Sequence, residues 1–182
     1  MNNLKKTILF FSIIATLISF KAINEWYQYD SPEFKVLFPK TPTNTTKKVN
    51  TEAGEIQMQV YMYNASKDES DQNLIYSVSS SEYPKEHIQS HIKHDNLNSF
   101  FRNAIDGMVN NVKGKLISES KIKLENFPGR EFKIDFKDGL AIIKVRMYLA
   151  GNNVYFLQTI TKTEKENNKM IEKFMNSFKL KK

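Results

Sequence analysis

Cysteine is absent from all 182 residues. That removes disulfides, thiol nucleophiles and thiolate metal ligands together, and it excludes lipid attachment at a signal junction, which needs the same residue. Glycine is scarce, with six residues and no cluster, so no loop is available to cradle a phosphate and nucleotide binding is not expected. A nucleophile elbow and a zinc-protease histidine pair with its glutamate are missing as well. No apolar run approaches the ~20 residues that a membrane-spanning helix needs. Histidine occurs three times, always within the stretch "HIQSHIKH" at positions 87–94.

The longest apolar run, Ile8 to Phe20, follows Lys5 and Lys6 and is closed by Lys21. At about 1.5 Å per residue it spans roughly 20 Å of a ~30 Å hydrocarbon core. A short run behind a basic start predicts an export signal over residues 1–22, with cleavage between about residues 19 and 23. Ala22 is small, but Phe20 stands where a second small residue is wanted, so an uncleaved inner-membrane anchor is the alternative. The expected location is periplasmic or secreted, with membrane contact only through residues 1–22 if they remain. Residues 23–182 are then expected to fold as one domain.

The formal charge of +7 overstates the basicity of that domain. Three of the 27 basic residues, Lys5, Lys6 and Lys21, belong to the signal, which leaves 24 against 20 acidic residues, or +4. No run of like charge exceeds a pair, so the charge serves solubility and no nucleic-acid partner is expected. The terminal "KLKK" reads as a solvated tail.

Periodicity predicts an α+β fold: a twisted, mostly antiparallel sheet packed with two main helices. "WYQYDSPEFKVLFP" holds two short extended segments around Ser31-Pro32, with Phe34, Val36 and Phe38 on one face. "KTPTNTTKKVNTEAGE" reads as a loop carrying a short strand. The next strand alternates Ile56, Met58, Val60 and Met62 against Gln57, Gln59, Tyr61 and Tyr63, which puts its tyrosines on the polar side. Leu74 to Tyr83 forms another strand, ending at Pro84. Four more runs, broken at "NFPG", "KDG" and "GNN", make an antiparallel meander, with Asp138-Gly139 as a two-residue hairpin turn. The run 153–161 is apolar on both faces, which places it centrally in a covered sheet. A closing helix, capped at Thr163, carries Met170, Ile171, Phe174, Met175 and Phe178 on one face.

Leu97, Phe100, Phe101, Ala104, Ile105, Met108 and Val112 recur at steps of three and four, which predicts a helix capped by Asp95. Continued backwards, that helix would set Ile88 and Ile92 on the wrong face. Residues 85–94 therefore read as a turn or loop. On this reading His87, His91 and His94 are solvated and no metal or other cofactor is expected. The alternative is a zinc site built from those three histidines on one regular helix.

Other constellations are weaker. Glu131 and Asp135, and Glu164, Glu166 and Glu172, interleave with lysines, as a solvated face does. Arg130 and Arg146 are candidates to meet across a hairpin and bind an anion. Tyr61, Tyr63, Tyr76 and Tyr148 are candidates for an aromatic platform under a ligand, unless a helix covers them.

The ordered motifs "WYQYDSPEFKVLFPKTP", "TEAGE", "YSVSSSEYP", "FPGREFKI", "RMYLAGNNVYFLQ" and "FMNSFKL" resemble those of a group of exported bacterial proteins. That group looks like part of the α/β/α sandwich superfamily of the PsbP subunit of photosystem II, which also includes a Ran-binding nuclear import factor. The resemblance implies a PsbP-like sandwich and a non-enzymatic binding or accessory role, with an envelope protein or a small ligand as partner. The competing expectations are a hydrolase with a carboxylate or histidine site and a carrier of a small apolar ligand, its cavity lying between the sheet and the 95–112 helix.

Overall fold

A computed structural model describes residues 25–93 and 96–181. The expected signal over 1–22, His94 and Asp95 lie outside the described residues. The strands are β1 (Tyr27–Asp30), β2 (Phe34–Phe38), β3 (Thr43–Thr51), β4 (Gly54–Asn64), β5 (Asn73–Glu82), β6 (Lys115–Leu124), β7 (Phe127–Phe136), β8 (Ala141–Ala150), β9 (Asn153–Lys162) and β10 (Lys179–Leu180). The helices are α1 (Lys85–Lys93), α2 (Leu97–Val112) and α3 (Lys169–Ser177). Seven strands form one antiparallel sheet in the spatial order β3-β4-β5-β9-β8-β7-β6, and β1, β2 and β10 form a second, small one.

β9 sits at the centre of the large sheet, as its two apolar faces require. Tyr155 and Leu157 point to one side, where they join Tyr76, Val78 and Tyr148. Val154 points to the other, with Val145, Met147 and Leu149 of β8. The edge strands β3 and β6 are largely exposed and carry lysines, which discourages pairing with another chain.

On the first face, α3 and the small sheet close the core. Phe34, Val36 and Phe38 of β2 are at most 1% exposed and pack with Ile171, Phe174, Met175 and Phe178. A buried polar network fixes the start of α3. Asn73 donates to the Tyr76 hydroxyl (2.6 Å) and accepts from Asn168 (2.9 Å) and from Thr161 Oγ1 (2.5 Å). Asn168 in turn accepts from the amides of Met170 and Ile171, capping the helix. On the second face, α2 lays Phe100, Phe101 and Ile105 against Phe132, Ile134 and Ile143.

Several local expectations are corrected. Residues 85–93 form α1 rather than a loop. It starts after Pro84, whose carbonyl accepts from the amides of His87 and Ile88. Because α1 and α2 are separate helices, the phase of Ile88 need not match Phe100, and Ile88 is buried. Asn96 stands at the N-cap position of α2 without a side-chain cap hydrogen bond, and the expected cap Asp95 lies outside the described residues. Residues 163–165 are a short 3-10 turn, and α3 begins later, capped by Asn168 instead of Thr163. Thr43 to Thr51 is a full nine-residue strand, because pairing with β4 satisfies its backbone. Lys179 and Leu180 pair with β2, so the "KLKK" tail is partly structural. The β7–β8 connection has four residues, Lys137 to Leu140, with positive φ from Lys137 to Gly139. The two-residue hairpin lies instead at Gly151-Asn152, where Gly151 has φ of +64°.

Candidate functional site

The second face of the large sheet is covered only in part. α2 packs over β7 and β8, and beside it the outer half of the sheet is left as the floor of a cleft of about 680 Å³. Alternation decides what the floor presents. On β4 the inward residues of the first face are Tyr61 and Tyr63, so Met58, Val60 and Met62 turn to the cleft. On β5, Tyr76 and Val78 go to the closed core, and Ser77, Ser79 and Ser81 form the middle of the floor. Phe156, Gln158 and Ile160 of β9 complete it.

Small side chains hollow out this space. Ser79 lies opposite Val60 on one side and Phe156 on the other, and its small side chain lines the cleft between them. On the helix, Ala104 and Gly107 face the cleft, and a Cβ on Gly107 would meet nothing within 4 Å. The apolar stripe read on α2 is therefore wider than the surface it buries. Phe100, Phe101 and Ile105 are buried, whereas Ala104, Met108 and Val112 pack only partly buried against the same core and line the cleft. Ser81 adds a buried hydroxyl with no hydrogen-bond partner among the described residues.

One end of the cleft is different in chemistry. His87 and His91 stand one turn apart on α1, with ring centroids 4.8 Å apart. Glu52, in the β3–β4 turn, reaches the same place, and ligand-capable atoms of the three residues all lie within 4.8 Å of one another. The ring of Tyr83 stacks on His87 at 6.1 Å, and Phe100 abuts His87 and His91 at 6.4 and 5.5 Å. Burial holds the Tyr83 hydroxyl above the ordinary phenol pKa. Glu52 was not legible as a neighbour of the histidines, since the chain between them crosses two strands. The "TEAGE" turn was the only signal near it. His94 lies outside the described residues.

The remaining candidates are placed as follows. Tyr148 is buried, and Tyr61 and Tyr63 are half-buried against the core closed by α3 and the small sheet. The tyrosine side of β4 is thus its core side, the reverse of the sequence reading, and the four tyrosines present no open platform. Arg130 and Arg146 do not meet. Glu131 is the residue opposite Arg146 in the β7–β8 register, so Arg130 lies on the other face. There Arg130 sits over the Phe101 ring at 4.5 Å, bonds Asn98 at 2.6 Å and pairs with Glu119 at 3.3 Å. Arg146 bonds Glu131 at 2.6 Å and Asn176 at 2.7 Å. Among the acids, Glu166 bonds Lys133 and Glu172 bonds Lys144, and Lys144 holds the Glu172 carboxyl below its ordinary pKa. Asp135 accepts from the Gly139 amide.

No protein-family model and no curated protein matches the sequence. Among solved structures, the chain is similar to the solution structure of cyanobacterial PsbP (CyanoP) from Synechocystis sp. PCC 6803. The TM-score is 0.55 at 12% identity, over 87% of this chain and 94% of that one. At such low identity the likeness establishes the fold, and the fold is PsbP-like. No helix among the described residues is long and apolar enough to cross a membrane.

Proposed function

We propose that the protein is an exported binding module of the cell envelope that holds a small, elongated, largely apolar ligand in the cleft and performs no chemistry on it. The observation that carries this reading is the cleft itself: a concave space of about 680 Å³ with Met58, Val60, Phe156 and Ile160 on its floor and Ala104 and Met108 on its wall. Ligand sites are commonly concavities of about 300 to 1,000 Å³ with mostly apolar walls and few polar groups. Export is inferred from Lys5, Lys6 and the apolar run Ile8 to Phe20. The hydrolase alternative would use a carboxyl kept protonated near neutrality by burial. Glu131, Glu166 and Glu172 instead pair with lysine or arginine, and Lys144 holds the Glu172 carboxyl below its ordinary pKa.

Fluorescence titration of the full chain with an emissive long-chain fatty acid tests the reading. Saturable binding at one equivalent is expected. Ser79→Phe, which fills the middle of the floor from a strand position that accepts an aromatic residue, should weaken it by about tenfold or more, roughly 1.4 kcal/mol. Absence of saturable binding by the native chain, or equal binding by a folded Ser79→Phe variant, would sink the proposal.

A further inference from the structure

The Glu52, His87 and His91 cluster is not needed to hold an apolar ligand, and its composition is specific. Two imidazoles four residues apart on one helix lie on the same side of it. A carboxylate from a separate hairpin then completes a set of three convergent ligands. Nitrogen and carboxylate donors without thiolate suit zinc and its neighbours among the divalent transition metals, and poorly suit calcium or magnesium, which take all-oxygen shells.

Two further observations point to a ligand. Nδ1 of His91 is shielded from solvent and has no hydrogen-bond partner among the described residues, an uncommon condition for a buried polar atom. Glu52 Oε1 accepts a 2.7 Å bond from the Asn103 amide on α2, the kind of outer contact that orients a ligating carboxylate. Tyr83 and Phe100 wall the histidines on their apolar side.

We propose that Glu52, His87 and His91 bind one divalent transition metal of the zinc class, leaving a coordination position open toward the cleft. Both Glu52 and His87 line that cleft, so the open position faces the space where a ligand would lie. Three protein ligands plus one exchangeable position is the pattern of zinc sites that admit water or a substrate group, as opposed to the closed four-ligand structural sites. The site does not rest on the fatty-acid reading, because it stands on three side chains and a metal alone.

Calorimetric titration of the metal-free full chain with zinc chloride tests it, with cobalt(II) as a spectroscopic reporter of coordination. One equivalent should bind, and Glu52→Gln or His91→Ala should each weaken binding by at least ~10-fold, with Asn103→Ala also weakening it by about 10-fold through the carboxylate it orients. His94→Ala should leave affinity unchanged. Circular dichroism on every variant separates lost ligation from lost folding, and Glu52→Gln, on an exposed turn, preserves the shape of the side chain. Failure to bind one equivalent would overturn the proposal. So would zinc binding that survives Glu52→Gln but is lost in His94→Ala, because the histidines would then act without the carboxylate. Fatty-acid binding measured without metal is unaffected by either result, so the two proposals fail separately.

Discussion

The two faces of the large sheet are built from the same strands and closed to different degrees. On one face, α3 and the small sheet bring Phe34, Phe38, Phe174 and Phe178 onto Tyr76, Tyr148 and Tyr155. The rings lie 5.3 Å apart for Phe174 with Phe38 and with Tyr76. On the other face, α2 packs as tightly over β7 and β8 through Phe101 and Ile105, at 1% and 0% exposed, but covers β4 and β5 only in part. The difference lies in side-chain size. The same β5 strand sends Tyr76 and Val78 to the closed face and Ser77, Ser79 and Ser81 to the open one. One face is specified by filling space, and the other by leaving it.

The largest effects should come from the filled regions. Phe174→Ala should lose about 3 to 5 kcal/mol in urea unfolding, because a fully buried ring leaves a cavity. Phe101→Ala should lose a similar amount, about 3 to 5 kcal/mol, since the open face is open only beside α2. Met58→Ala, on the cleft floor, should stay within about 1 kcal/mol. A large loss for Met58→Ala would mean that the floor is core, and the contrast between the faces would collapse.

A smaller effect is expected at the polar link between β5 and α3. Asn73 is 1% exposed and touches Tyr76, Thr161 and Asn168. Asn73→Ala should lose about 1 to 3 kcal/mol in urea unfolding, because its buried partners are left unpaired. An unchanged midpoint would show that the network is dispensable to the closed face.

Gly107→Ala should act in the opposite direction. The site is an exposed mid-helix glycine on α2 with open space where a Cβ would go, so alanine should raise stability by up to about 1 kcal/mol through helix propensity. Thermal melting would show this. Destabilisation would mean that the cleft is narrower at α2 than its geometry indicates.

The smallest effect is at acid pH. Asp68, hydrogen-bonded to Lys40 and Ser70, and Asp30, bonded to Lys181 and Lys35, have carboxyl pKa values below the ordinary 3.8. A lowered folded value means that their contribution is fully present above that ordinary value and is lost as pH falls through the lower folded ones. All three ion pairs lie at the surface, so the decline should be slight and should shrink with added salt. Urea unfolding along an acid pH series at two salt concentrations would measure it. A decline that is steep and insensitive to salt would assign it to groups other than these pairs.

Much of the scaffold was legible because its signals are local. The β6 to β9 meander, the two-faced β9 and the α2 stripe all follow from periods of 2 and 3.6 residues. Where competing local rules met, the reading failed. The phase of Ile88 was judged against α2 as though one helix ran through 85–112, and the Thr-rich stretch 43–51 lacked any apolar alternation to announce a strand whose backbone is satisfied by β4. On β4, methionine is the more apolar neighbour, so alternation alone points the tyrosines outward, whereas Tyr61 and Tyr63 face the closed core. Which of two amphipathic faces is buried depends on what lands on it.

Local pattern along the chain suffices for the sheet-and-helix composition, the order of the meander, the absence of thiol chemistry and the three histidines held within one short stretch. Packing and register add that α2 covers β4 and β5 only in part, that Arg130 and Arg146 occupy opposite faces, and that Glu52 joins His87 and His91. Each of these is a relation between residues distant in the chain. Periodicity fixes which way a side chain points from its own strand or helix, while strand register and helix docking fix what it meets.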